Sequence, residues 1–227
     1  MDRKINVGYF GMGLFTVVLI GILGLELWVM SDFIPWEKPE KKAVQTFQKK
    51  KEWNEKKEYL KYRDAESVPV LFQWDERWAN EEYAGNYFAF SGCGPTALSM
   101  VSIYLTGNPQ LNPQVIADFA MKEGYCENGN GSTWTLMSEG AVKLGLSVEE
   151  LSLEEDVIKS QLKQKHPIIC IMGRGDFTDQ GHFIVLAGMK DGKIIVNDPN
   201  SRERSEKLWT FEELKWQIRN LWAFQKK

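Results

Sequence analysis

Two apolar segments near the C-terminal end of the chain, His182–Met189 and Lys193–Asp198, are separated only by Lys190, Asp191 and Gly192. An Asp-Gly pair between two β-rich runs is a strong short-range hairpin signal, so the chain must hold an antiparallel sheet. Its register decides what the hairpin can do. A two-residue turn would set Lys190 opposite Lys193 and leave Asp198 on the face opposite His182. A three-residue loop would set Met189 opposite Lys193, so that His182 and Asp198 share a face as diagonal neighbours ~7–8 Å apart. We expect the three-residue loop, or a bulge of equivalent effect.

Upstream of the hairpin the periodicity changes. SGCGPTALSMVSIYLTG reads as a loop running into a helix, and LNPQVIADFAMKEG as a second helix from Pro113 to Gly124. TWTLMSEGAVKLGL and LEEDVIKSQLKQ read as two more amphipathic helices, followed by the apolar strand PIICIMG. VPVLFQW reads as a short strand before all of these, and FEELKWQIRNLW as a closing helix that takes in Trp216 and Trp222. Helices followed by consecutive antiparallel strands predict an α+β domain, assigned to residues 65–227. At 227 residues and a net charge of -3, the chain has room for one such domain plus an accessory segment, and no bulk positive charge for nucleic acid.

The accessory segment is N-terminal. Residues 1–4 form a short tail, and from Ile5 to Leu25 no residue is charged. These 21 residues would make a helix of ~31 Å, the thickness of a bilayer's hydrocarbon core. Residues 5–30 are therefore expected to be a single-pass, uncleaved membrane anchor, with Trp28 and Trp36 at the interface. Residues 31–64 are charge-dense and read as a helical linker. Arg3 and Lys4 precede the span, and Lys38, Lys41, Lys42, Lys49, Lys50 and Lys51 follow it, which by the positive-inside rule would keep the domain in the cytoplasm.

Cys93 carries the clearest chemical signal. It lies between Gly92 and Gly94 at the start of a helix, where free amide hydrogens and the helix dipole stabilise a thiolate. The flanking glycines are expected to let the backbone turn sharply, and Pro95 suits a first helical turn. A cysteine nucleophile needs a base, and His182 opens the first hairpin strand behind Gly181, which leaves room for substrate. Asp198 is the expected orienter of that imidazole, with Asn197 as the substitute in the other register. His166, Cys126 and Cys170 are read as non-catalytic, and the three cysteines lack metal-ligand spacing. No cofactor and no metal is expected.

Val68–Trp78, Gly92–Leu98, Gly181–Leu186 and Val196–Pro199, taken in order, resemble the C39-like peptidases, a family of papain-fold cysteine peptidases. The resemblance covers residues 67–224. It implies a helical half, with the nucleophile at a helix N-terminus, packed on an antiparallel sheet. It also implies Cys93 as nucleophile, His182 as base, Asp198 as orienter and Gln73 as a side-chain donor to the oxyanion beside the Cys93 amide. Asn128–Trp134 would border the cleft. C39 peptidases proper are fused to an ABC transporter and trim leaders after a double glycine; this chain has no G-x-x-x-x-G-K-[ST] sequence, so that substrate does not carry over.

The expected function is that of a membrane-anchored cysteine peptidase or amide hydrolase acting on a peptide or protein, cell-wall peptide among the candidates. The resemblance and the anchor favour an extracellular domain. A catalytically silent module that binds peptide or cell-wall material is the alternative, and acyl transfer to an amine is a third.

Overall fold

The structure is a computed structural model that describes residues 66–227, all within the second of two units, Glu52–Lys227. The expected tail, membrane anchor and charged linker lie outside the described residues. Among the described residues, no helix is long and apolar enough to cross a membrane.

Residues 68–74, expected to form a strand, form none. Pro69 has no N–H to give to a ladder, and the segment is instead held by single bonds. The Asn197 side-chain amide donates to the carbonyls of Val68 and Pro69 at 3.1 and 3.2 Å, and the Gln73 N–H donates to Pro199 O at 2.8 Å. A two-stranded ribbon, Glu82–Tyr83 (β1) and Asn86–Tyr87 (β2), leads into one turn of helix, Phe88–Ser91 (α1), and then into Cys93–Thr106 (α2). Pro113–Glu123 (α3) forms as expected, because Asn112 caps the Val115 N–H at 3.1 Å and Gly124 closes the helix in the left-handed region.

Cys126–Glu127 (β3) and Gly131–Ser132 (β4) form a second small ribbon. The helix expected over TWTLMSEGAVKLGL is reduced to a π-helical turn, Leu136–Gly140, and Ala141–Lys143 (α4), after which the chain becomes the strand Leu146–Glu150 (β5). Glu155–Lys163 (α5) and Ile168–Met172 (β6) follow as expected, then His182–Lys190 (β7) and Lys193–Asn197 (β8). Arg202–Glu206 (α6), Leu208–Trp209 (β9), Phe211–Lys215 (α7) and Ile218–Lys226 (β10) complete the chain.

The closing helix therefore needs correction: it stops after Lys215, and Trp222 lies in a strand. The six-stranded sheet has the order β5-β10-β6-β7-β8-β9, with every neighbouring pair antiparallel. β10 lies inside the sheet, between β5 and β6, and is covered on both faces. Leu221, Trp222, Ala223 and Phe224 are all buried there, a continuous apolar run that cannot be told from a helix by period. Alternate residues feed two cores. Ile169, Ile171, Phe183, Val185 and Phe224 pack with Leu98 and Val101 of α2, while Cys170, Ile184, Leu186 and Val196 pack with Ile158 and Leu162 of α5.

Two bulges break the sheet's register. The β7–β8 turn has two residues, Asp191 and Gly192, with φ of 51° and 76°, as a type I′ turn requires. The three-residue loop is thus corrected. The shift comes instead from within the strands: Gly188 faces Ile195, but Leu186 faces Val196, leaving Ala187 as the extra residue. In β10, Ile218 faces Met172 and Asn220 faces Ile171, leaving Arg219 as the extra residue.

Candidate active site

Cys93 is the first residue of α2, and steric fit explains its two glycines. Gly92 has φ -83° and ψ 10°, a conformation open to any residue, but a Cβ there would lie 2.3 Å from the Phe88 ring. A Cβ on Gly94 would lie 2.2 Å from Ser132 Oγ, and Ser132 is held in place by a 2.6 Å hydrogen bond with the Tyr83 hydroxyl. Close packing, rather than a turn reserved for glycine, sets the sequence around the thiol.

The bulge at Ala187 sets the other half of the site. With Val185 opposite Asn197, the continued register carries Asp198 level with Ile184 and diagonal to His182. The two side chains meet, His182 Nε2 lying 2.7 Å from Asp198 Oδ1. The His182 ring and the backbone amides of Phe183 and Gly94 lie where they favour the Cys93 thiolate. Nε2 is engaged by Asp198, which leaves Nδ1 as the ring nitrogen for Cys93.

Asp198 is fully buried, and every polar edge of it is used. Oδ1 also accepts from the Asn200 N–H at 2.7 Å, Oδ2 accepts from Arg204 Nε, and the Asp198 N–H donates to Ser205 Oγ at 2.9 Å. Sequence reasoning missed Arg204. Asn197, the substitute orienter, has its amide committed to Val68 and Pro69 and takes no part.

These contacts decide the charge states. Burial disfavours the Cys93 thiolate, but the His182 hydrogen bond and charge, with the two backbone amides, outweigh it and hold the thiol below its ordinary value. Burial likewise disfavours the imidazolium, yet hydrogen bonds to Asp198 and Cys93 and their charges push His182 up to about 9. Burial opposes the Asp198 carboxylate too, and His182 and Arg204 together hold it below the usual carboxylate range. Both shifts run in the direction of a thiolate–imidazolium pair. Burial pushes the thiols of Cys126 and Cys170 up, so neither competes.

Gln73 is buried beside this network. Its amide Nε2 donates to Ala89 O at 2.7 Å, and its Oε1 has no partner. Its backbone bond to Pro199 fastens it to the residue after Asp198, while Ala89 lies on the segment leading to Cys93.

Cys93 opens on a cleft of about 760 Å³. One wall is built from Gly129, Asn130, Gly131, Ser132 and Trp134, the segment expected to border the site. Gly181 and Phe183 line it from the start of β7, and Arg219 from β10.

The sequence model of the Peptidase_C39 like family matches residues 65–226. The chain belongs to that family. It is accordingly a cysteine peptidase, acting on peptide bonds. Among solved structures, the peptidase domain of Streptococcus ComA, a bi-functional ABC transporter involved in a quorum-sensing pathway, is similar at 18% identity and a TM-score of 0.49. That match covers 70% of this chain and 99% of that one. A C39-like peptidase from Bacillus anthracis is similar at 16% identity and a TM-score of 0.43, covering 72% of this chain and 99% of that one. No curated protein matches the chain.

Proposed function

We propose that this C39-like peptidase hydrolyses peptide bonds with Cys93 as nucleophile, His182 as acid and base, Asp198 as orienter and Gln73 as a donor to the oxyanion. The supporting observation is the Asp198–His182 hydrogen bond, together with a His182 ring that favours the thiolate of Cys93 at the cleft. The Cys93 thiolate attacks the scissile carbonyl, forming the S–C bond. The His182 imidazolium, held as cation by Asp198, gives its proton to the leaving amine as the C–N bond breaks. Water then attacks the acyl-enzyme with His182 as base, releasing the acid and restoring the thiolate. One amide hydrogen of Gln73 is used on Ala89, and the other is the one assigned to the oxyanion, beside the Cys93 N–H.

The uncharged run Ile5–Leu25 supports a membrane anchor, and the domain is proposed to face outward on a peptide or protein substrate, cell-wall peptide included. Protease added to intact cells should then degrade residues 65–227.

The chemistry is tested by alkylation with iodoacetamide at pH 6. Cys93 should react as a thiolate in the full chain and lose that reactivity in His182→Ala. Peptide-library or cell-wall digestion by the protein and by Cys93→Ala completes the test. Ordinary thiol kinetics at Cys93, or identical product profiles, would leave the silent binding module as the better account.

A further inference from the structure

Arg219 is the one residue of β10 pushed out of register beside the cleft. Bulges next to active sites commonly re-aim a side chain, and this one gives the cleft a guanidinium. The opposing strand accommodates it. A Cβ on Gly173 would lie 2.3 Å from Arg219 Nε, so a side chain there would shift the guanidinium from its place against β6's end. The group is further fixed by a bond from Nη1 to Trp216 O at 3.1 Å. Among the described residues it pairs with no carboxylate.

A second cation stands in the same cleft. Arg174 is 85% exposed, and its ion pair to Asp179, itself 94% exposed, is 4.0 Å long. Such a pair holds the guanidinium weakly, which leaves it open to a stronger partner. None of the residues lining the cleft is an Asp or Glu, so Arg219 meets no carboxylate there and Arg174 has only its long contact to Asp179. Asn86, Asn130 and Gln180 add neutral hydrogen-bonding groups, and the exposed rings of Phe90 and Trp134 add apolar surface.

We propose that the cleft in front of Cys93 selects peptides bearing a carboxylate, which pairs with Arg219 and, secondarily, Arg174. Only the reading of that preference as substrate selection rests on Cys93 being the nucleophile; the carboxylate contact itself does not. A planar guanidinium fixed at its back and free at its front is suited to two parallel bonds with a carboxylate. The carboxylate can come from an Asp or Glu side chain or from a chain terminus, and the same contact serves either source.

The test uses the full chain and internally quenched peptides in which each position on both sides of the scissile bond carries Glu, Gln or Lys. One set is C-terminally amidated; a second has no acidic side chain and a free C-terminus. Binding of the same peptides to Cys93→Ala is followed by fluorescence anisotropy, so the measurement does not depend on turnover. At one position, or at the free terminus, the carboxylate peptide should be favoured about tenfold over its neutral match, the ratio expected for one charge-assisted contact. The ratio should fall towards one in Arg219→Gln, shrink with added salt, and turn in favour of Lys in Arg219→Glu.

Ratios near one at all positions and at the terminus, in cleavage and in binding, overturn the proposal. So does a preference that survives in Arg174→Gln/Arg219→Gln. Absence of Cys93-dependent cleavage alongside an acid preference in Cys93→Ala would overturn the proposed function and support this one. Cleavage without acid preference would do the reverse.

Discussion

Arg204 and Arg219 show how differently one side chain is used on the two sides of Cys93. Arg204, 27% exposed, gives its Nε to the buried carboxylate of Asp198 and so belongs to the charge network behind His182. Arg219 lines the open cleft, with no carboxylate partner among the described residues. A bulge stands behind each arrangement, at Ala187 in β7 for the first and at Arg219 itself for the second. The buried side spends its polar groups on one another and fixes the His182 ring against Asp198. The open side leaves polar groups unspent, which is what a site for something else requires. Changes behind His182 should therefore alter chemistry and stability together, and changes in the cleft should alter recognition alone.

The largest expected effect falls behind His182. Asp198→Asn keeps the shape but removes the charge that holds the imidazolium, and kcat/KM should fall by about 10³–10⁴. The pH profile carries the sharper information. Asp198 is one of the groups pushing His182 up to about 9, so its loss should move the alkaline limb of kcat/KM down towards the ordinary imidazole value of about 6.5. An alkaline limb that stays in place would remove Asp198 from the mechanism.

Arg204→Gln is the middle case. The carboxylate still meets His182 but loses its cation, and kcat/KM should fall by about tenfold, less than for Asp198→Asn because the orienting bond survives. Stability should fall as well. Asp198 is held below its unfolded value, so its contribution is present above the unfolded carboxyl value and is lost as pH falls through the folded one. Removing Arg204 shrinks that contribution, by roughly 1–3 kcal/mol near pH 7 in urea titrations, and brings acid unfolding to higher pH. A variant with normal acid tolerance would show that the ion pair is incidental to the network.

Much of the buried side could be read from the chain. The start of the helix near Pro95, the Pro113–Gly124 helix and the Asp-Gly hairpin rest on local rules, because proline's fixed φ, capping, left-handed glycines and turn types depend on neighbours in sequence. Even the pairing of His182 with Asp198 followed from register, although the register shift came from Ala187 and not from the turn. What escaped was set by distant contacts. Nothing local marks Ala187 or Arg219 as the residue a partner strand will skip. Arg204 lies on a five-residue helix whose only sequence sign is the Ser201 cap, and its bond to Asp198 exists because the loop folds back on β8. β10 was misread because both its faces are buried, which erases the alternation that marks a strand.

The smallest effect on the fold, and the best discriminator, is expected at Gly181, which lines the cleft one residue before His182. A Cβ there would have Ile171 Cδ1 as its nearest neighbour, at 3.9 Å, so alanine fits without strain and displaces only cleft volume. Gly181→Ala should change stability by no more than about 0.5 kcal/mol. Its effect should appear as a raised KM for peptides, about three- to tenfold, because an added methyl competes with substrate and not with protein atoms. Iodoacetamide is small enough to pass the methyl, so its rate with Cys93 measures the thiolate–imidazolium pair alone. If that rate falls as far as peptide kcat/KM does, the start of β7 governs the charge pair as well as the cleft. The two sides of Cys93 would then be one mechanical unit, and the contrast between Arg204 and Arg219 would lose its meaning.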